Sequence, residues 1–145
     1  MNNEKTEQLK RRTKRFGSRA IRLVQALPNG KVADVVGRQL LRAATSVGAN
    51  YRAALRGRST AEFLSRLGVV EEEIDESLYW MEMLVEGGLI EQQRLAALMK
   101  EANEIASIVV AAIKTTKSRH RRPGATSRRV GRGLVNPESE IQNPK

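Results

Sequence analysis

The sequence predicts an all-α chain folded as an antiparallel, up-down-up-down four-helix bundle, and three observations predict it. Apolar residues recur at spacings of three and four in four separate segments, which places them along one face of a helix. No stretch shows the alternation of apolar and polar residues that a half-buried strand needs. The segments are joined by a few residues each, including Pro28-Asn29-Gly30, Gly57 and Gly87-Gly88. Short links between long helices make consecutive helices antiparallel neighbours.

In the first segment Phe16, Ala20, Leu23, Val24 and Leu27 share a face, and Pro28, Asn29 and Gly30 end it. The second begins near Val32 to Asp34, with Asp34 as a cap or a first-turn acid, and runs to about Arg56 before Gly57. At about 100° per residue, Val36, Leu40, Ala43, Val47, Tyr51 and Ala54 fall within about 80° of arc. Arg38, Arg42, Arg52 and Arg56 cluster on the opposite side.

The third segment opens with Ser59 and Glu62, the spacing of a capping box, in which each side chain satisfies the other residue's free backbone N–H. Its core stripe is Phe63, Leu67, Val70, Ile74, Ser77, Leu78, Met81 and Val85, and Gly87-Gly88 stop it by taking left-handed backbone angles. The fourth carries Leu95, Leu98, Met99, Ala102, Ile105, Ala106, Val109 and Ile113 and runs to about Lys117. Residues 1–117 are therefore expected to form the bundle. Residues 118–145, rich in Arg, Gly, Pro and Ser with little to bury, read as a disordered basic tail.

Composition narrows the function. Aromatic residues are only 3% of the chain, so the core must be aliphatic. The absence of cysteine excludes a disulfide frame, a thiolate nucleophile and a Cys-containing zinc site. One histidine, His120, leaves acid/base and metal schemes to carboxylates. The acidic run Glu71-Glu72-Glu73 with Asp75 and Glu76 lacks the Glu-x-x-His pairs of di-metal bundles, and Gly131-Arg132-Gly133 lacks the strand and Lys of a phosphate loop. The expectation is a protein without catalytic residues, metal or cofactor. A hydrolase would have to use Glu73 and Glu76, and no substrate suggests itself.

The apolar stretch after Phe16 is interrupted by Arg19 and Arg22, and Ile105–Ile113 falls far short of the ~20 residues that cross a bilayer. A cytoplasmic protein with no membrane partner is expected.

The formal net charge of +10 conceals three blocks. Residues 1–58 hold fourteen basic and three acidic side chains (+11), residues 59–113 three basic and eleven acidic (−8), and residues 114–145 nine basic and two acidic (+7). Part of the first block can pair with the second; the remainder must face something else.

The runs Gln39–Arg52 (QLLRAATSVGANYR), Ser59–Leu64 (STAEFL) and Glu73–Trp80 (EIDESLYW) resemble a signature of the bacterial four-helix-bundle proteins named after 23S ribosomal RNA intervening sequences. The resemblance covers roughly residues 12–117. It implies a four-helix protomer assembled into a ring-shaped homopentamer without known catalytic activity. A related branch supplies the accessory protein of diversity-generating retroelements, which implies a reverse transcriptase and its RNA as partners. Two features depart from the pattern: many relatives have Glu where this chain has Ala53, and the Arg-rich segment after Ser118 is not part of it.

The leading function is nucleic-acid binding, RNA ahead of DNA. Lys10, Arg11, Arg12, Lys14, Arg15, Arg19 and Arg22 form a basic run with no acidic residue between them, for which a phosphate backbone is the commonest partner. On the second segment four arginines span about 27 Å at ~1.5 Å per residue, enough for several phosphates. Guanidiniums suit these because their planar fork donates paired hydrogen bonds and stays charged. The competing reading is a solvated face, or arginines paired with Glu71, Glu72, Glu73 and Glu76. Pairing is favoured for Arg42, whereas Arg38, Arg52 and Arg56 are assigned to nucleic acid together with Arg11, Arg12, Arg15, Arg19, Arg22 and the tail residues Arg121, Arg122, Arg128 and Arg129.

Trp80 sits about 100° off the core stripe, either filling a groove or, with Tyr79, anchoring a subunit interface, where Trp is enriched. The polar flank of Gln39, Ser46, Asn50, Glu73 and Ser77 reads as a buried network fixing helix register. The alternative function is a protein-interaction scaffold, such as a reverse-transcriptase accessory subunit.

Overall fold

The computed structural model describes residues 2–122. Four α-helices follow one another: α1 (Asn3–Gln25), α2 (Lys31–Leu55), α3 (Thr60–Glu86) and α4 (Gln92–His120). Local chemistry sets their ends. Asn2 caps α1, its Oδ1 accepting from the Lys5 N–H at 3.0 Å. Gly30 precedes α2 at φ 150°, a backbone region open almost only to glycine, and Asp34 serves as the first-turn acid rather than the cap. Ser59 caps α3 through the Glu62 N–H at 3.1 Å. The reciprocal bond differs from the expected box: the Glu62 carboxylate accepts from the Arg58 N–H, one residue earlier, at 2.9 Å.

At the far end of α3 it is Gly88, not Gly87, that turns left-handed, at φ 70°. The Leu89 N–H then reaches the Leu84 carbonyl and the Gly88 N–H reaches that of Val85, both at 3.0 Å, so the last carbonyls find donors as the chain reverses. Helix α4 runs to His120, three residues past the expected end, with Lys117, Arg119 and His120 in its last turn beside the negative end of the helix dipole. Ser118–His120 are therefore helical and not part of a tail. Residues 123–145, the rest of the expected disordered segment, lie outside the described residues.

Successive helices run antiparallel, and opposed pairs along the α1–α2 seam display it. Gly37 faces Val24 and Leu27, Gly17 faces Thr45, and Gly48 faces Thr13, so α2 descends as α1 rises. Arg42 meets Glu73 and Glu76 across α2 and α3, and Arg12 meets Glu101 and Glu104 across α1 and α4. The most extensive contact is between α2 and α3, and the least between α1 and α4.

The core is aliphatic, with Leu40, Val47, Leu67, Ile74, Leu95 and Ile105 among its fully buried residues, while Phe16 and Tyr51 are its buried aromatics. The expected stripes hold with shifts at their edges: Leu84 is buried where Val85 was expected, and Phe63, Leu78, Met99 and Ile113 are only partly covered. The Tyr51 hydroxyl is buried with no hydrogen-bond partner among the described residues, and burial pushes its pKa up; the neighbouring Thr6 hydroxyl donates to the Asn2 carbonyl instead.

Small residues decide the spacing of α1 and α2. A Cβ on Gly48 would lie 3.2 Å from the Thr13 carbonyl carbon and from the Lys14 nitrogen, so the two backbones touch there. Gly68 on α3 is different, with nothing within 4 Å of a would-be Cβ. Gly68→Ala is accordingly expected to stabilise the protein by about 1 kcal/mol, the helix-propensity difference, read as a higher urea midpoint.

Candidate nucleic-acid interface

Antiparallel folding reorganises the charge. One end of the bundle collects the start of α1, the end of α2, the start of α3 and the end of α4, and so gathers Lys5, Arg52, Arg56, Arg58, Arg66, Lys114, Lys117, Arg119, Arg121 and Arg122. The carboxylates of that end are Glu4, Glu7 and Glu62. At the opposite end Glu82, Glu86 and Glu91 at the α3–α4 turn and Asp34 accompany Arg22, Lys31, Arg38 and Arg94, so the two signs balance there. The excess of positive charge is thus concentrated at one end of the bundle, which gives the protein a basic pole.

The pole contains an open hollow of about 610 Å³ lined by Ala49, Arg52, Ala53, Arg56, Arg58, Glu62 and Arg66. Three backbone segments supply it. Arg52 comes from the last turn of α2 and Arg56, four residues on, from its C-cap, Arg58 from the link, and Arg66 from the second turn of α3. The methyl groups of Ala49 and Ala53 leave the space open. All four arginines are exposed, and none forms an ion pair among the described residues. The lone lining carboxylate, Glu62, is tied to the Arg58 backbone.

A second basic hollow of about 410 Å³ lies between Lys114, Lys117, Ser118, Arg121 and Arg122. It exists because α4 continues past Lys117, which puts Lys114, Lys117 and Arg121 on one helical face. A third, more apolar groove of about 700 Å³ separates α1 from α4, with Asn2, Lys5 and Gln8 on one wall and Ile108, Ala112 and Arg119 on the other.

The remaining predicted arginines scatter. Arg12 is engaged internally: its Nε donates to Glu101 and its Nη2 to Glu104, both at 2.8 Å. Burial opposes the Arg12 charge, but these bonds outweigh it and raise its pKa above the usual arginine value. Arg11, Arg15 and Arg22 are exposed on the side of α1 away from the core and make no ion pair among the described residues, whereas Arg19 is half-buried. Lys10 lies 3.9 Å from Glu7. Arg38 stands at the opposite end beside Asp34. The α2 arginines therefore do not act as one continuous face. Arg128 and Arg129 lie outside the described residues.

Arg42 pairs as expected, with Glu73 at 3.6 Å and with Glu76, which also accepts from Trp80 Nε1 at 3.3 Å. The Arg42 hydrogen bond first, and that of Trp80 second, hold the Glu76 carboxyl below its ordinary pKa. A depressed native pKa contributes stability above the unfolded value of about 4.3 and loses it as pH falls through the native value. Glu76→Gln is therefore expected to lower the urea midpoint relative to wild type at about pH 7, with the gap narrowing as pH falls below the unfolded value and the carboxylate takes up its proton. Both Glu73 and Glu76 are committed to this arginine.

Trp80 is half-buried against the core, and Tyr79 is 51% exposed, its ring edge-to-face with Trp80 at 5.0 Å. The predicted polar network is not interhelical. Ser46, Asn50 and Ser77 each donate to a carbonyl four residues earlier in their own helix, and Arg42 is what crosses from α2 to the α3 flank. Sequence reasoning missed Arg58 and Arg66. Their signal was positional: Arg58 directly precedes the cap Ser59, and Arg66 lies one turn past Glu62.

Fold and site together define a small, antiparallel, four-helix protein whose charge is concentrated around an arginine-lined hollow. The chain belongs to the 23S rRNA-intervening sequence protein family, whose model matches residues 5–111. It is similar to a protein of unknown function from the S23 ribosomal protein family of Bacteroides thetaiotaomicron, solved by crystallography at 1.70 Å. The two are 30% identical with a TM-score of 0.72, over 76% of this chain and 98% of that one. No curated protein matches the chain. The arginine hollow lies inside the family match, and the Lys114–Arg122 hollow lies beyond it.

Proposed function

We propose that this protein is a non-enzymatic, oligomeric nucleic-acid-binding protein that takes RNA in preference to DNA at its basic pole. The observation that carries the reading is the convergence of Arg52, Arg56, Arg58 and Arg66, unpaired among the described residues, on one hollow. Unneutralised guanidiniums held together repel one another, and a phosphate backbone relieves this through charge-assisted paired hydrogen bonds. The buried positions of Phe16 and Tyr51 leave few rings for bases to stack on, which favours backbone contact over base reading. Commitment of Glu73 and Glu76 to Arg42 supports the absence of a carboxylate-based activity.

The test is binding of single-stranded RNA and duplex DNA across a salt series from about 50 to 200 mM. Affinity is expected to fall steeply over that range, and no binding at the low end overturns the reading. Assembly into a homopentamer, as the family resemblance implies, would use the exposed Tyr79 and its partner Trp80; light scattering that finds a monomer at micromolar concentration overturns it.

A second reading, a protein scaffold such as a reverse-transcriptase accessory subunit, is favoured by a different surface. Val32 and Val35, 61% and 57% exposed at the start of α2, form an apolar edge at the end away from the basic pole. A reverse-transcriptase gene beside this one, with a repeat template, would support it.

A further inference from the structure

We infer that the arginine hollow binds a linear triphosphate, specifically the 5′-triphosphate end of an RNA, rather than an internal stretch of backbone. The inference rests on the nucleic-acid reading and adds which part of the molecule is held. Arg52, Arg56, Arg58 and Arg66 line one concavity from three backbone segments, so their charges share one hollow instead of following a strand. With Glu62 as the one opposing carboxylate, the lining carries a formal +3.

An internal strand suits such a site poorly. Its charges are spaced along the chain at one per nucleotide, about 3.4 Å of axis each in a helical strand, and the intervening sugars keep most of them outside a compact hollow. A 5′-triphosphate concentrates a comparable charge on three phosphorus centres joined by bridging oxygens, each presenting further oxygens to planar guanidinium forks. The volume of about 610 Å³ admits such a group, and the small floor residues Ala49 and Ala53 let it approach the α2 backbone. No aromatic ring among the described residues lines the hollow, so it offers a base nothing to stack on, and the wide mouth lets the rest of the strand leave. The neighbouring cations of the same pole, such as Lys114 and Lys117, can then meet downstream phosphates, an advantage that a free nucleotide lacks.

The experiment uses the full chain and one short single-stranded RNA in two forms, with a 5′-triphosphate and with a 5′-hydroxyl, followed by fluorescence anisotropy near physiological salt. The triphosphate form is expected to bind about tenfold tighter. Inorganic tripolyphosphate should compete that advantage away. Ala53→Glu, which places a carboxylate on the floor without removing an arginine, and the double variant Arg56→Ala with Arg66→Ala should each bring the ratio of the two affinities to about one. Lys117→Ala should lower both affinities and keep the ratio. Thermal melts of the variants, all at exposed or half-exposed positions, check that the bundle is intact. Equal affinity for the two RNAs overturns the inference while leaving RNA binding in place. Competition by tripolyphosphate without preference for the triphosphate RNA assigns the hollow to free condensed phosphate and overturns the RNA-end assignment. Failure of both RNAs to bind at about 50 mM salt overturns the nucleic-acid reading itself and the inference with it.

Discussion

Gly48→Leu is expected to destabilise the protein by about 3 kcal/mol or more, the upper range for overpacking, because no side chain can move aside to admit the new one. A Cβ at this position meets main-chain atoms of α1, the Thr13 carbonyl carbon and oxygen and the Lys14 nitrogen, at 3.2–3.3 Å. Accommodating a leucine requires α1 to lift from α2, which uncovers Phe16 and Ala20 on the same face of α1, both fully buried in the native protein. Against a typical total stability of about 5–15 kcal/mol, that loss leaves a marginal bundle. Gly17→Ala, where a Cβ sits at 3.4 Å from Thr45 Cα and 3.5 Å from the Ala44 oxygen, is the matched control. There the contact is close to ordinary, and alanine recovers about 1 kcal/mol of helix propensity, so the urea midpoint should rise slightly and not fall. Equal, small effects at the two glycines would show that α1 and α2 do not touch as described.

Replacing Arg52, Arg56, Arg58 and Arg66 together by alanine is expected to reduce the affinity for a single-stranded RNA that carries a 5′-triphosphate by at least about tenfold. The log-log salt slope should flatten by about 3, since each phosphate contact contributes roughly 0.7 for a single strand. Replacing Arg11, Arg15 and Arg22 should have a smaller effect on both, because these exposed side chains are strung along one face of α1 over about 16 Å at ~1.5 Å per residue and do not share one hollow. Arg12 does not belong in that comparison: its guanidinium holds Glu101 and Glu104, so Arg12→Ala acts on the α1–α4 seam as well as on charge. A slope that responds to the α1 triple variant and not to the hollow would relocate the footprint to α1.

The legibility of this molecule varied with the range of the interaction. The α3 start was readable at Ser59 because a cap is a contact between residues three apart, and even there the Glu62 partner slipped by one, from Ser59 to Arg58. The Arg42 pairing was readable because the acidic face of α3 was the near neighbour of α2 in any antiparallel hairpin. The end of α4 was not, since Ser118, Arg119 and His120 carry no apolar periodicity and continue the helix on its exposed side. Ser46, Asn50 and Ser77 resembled a network on paper, but each found a carbonyl one turn back in its own helix.

Taken alone, the sequence determined the four helices, their antiparallel order, the aliphatic core and the separation of charge into +11, −8 and +7 blocks, because these follow from periodicity and composition. Only the tertiary structure decided which cations meet. Arg38 and Arg56 share a helical face but sit at opposite ends of the bundle, whereas Arg56 and Arg66 lie on different helices and line the same hollow. The physical reason is that charge acts through space: folding an antiparallel hairpin brings residues on either side of a short turn together and carries residues along one helix apart by its 1.5 Å rise.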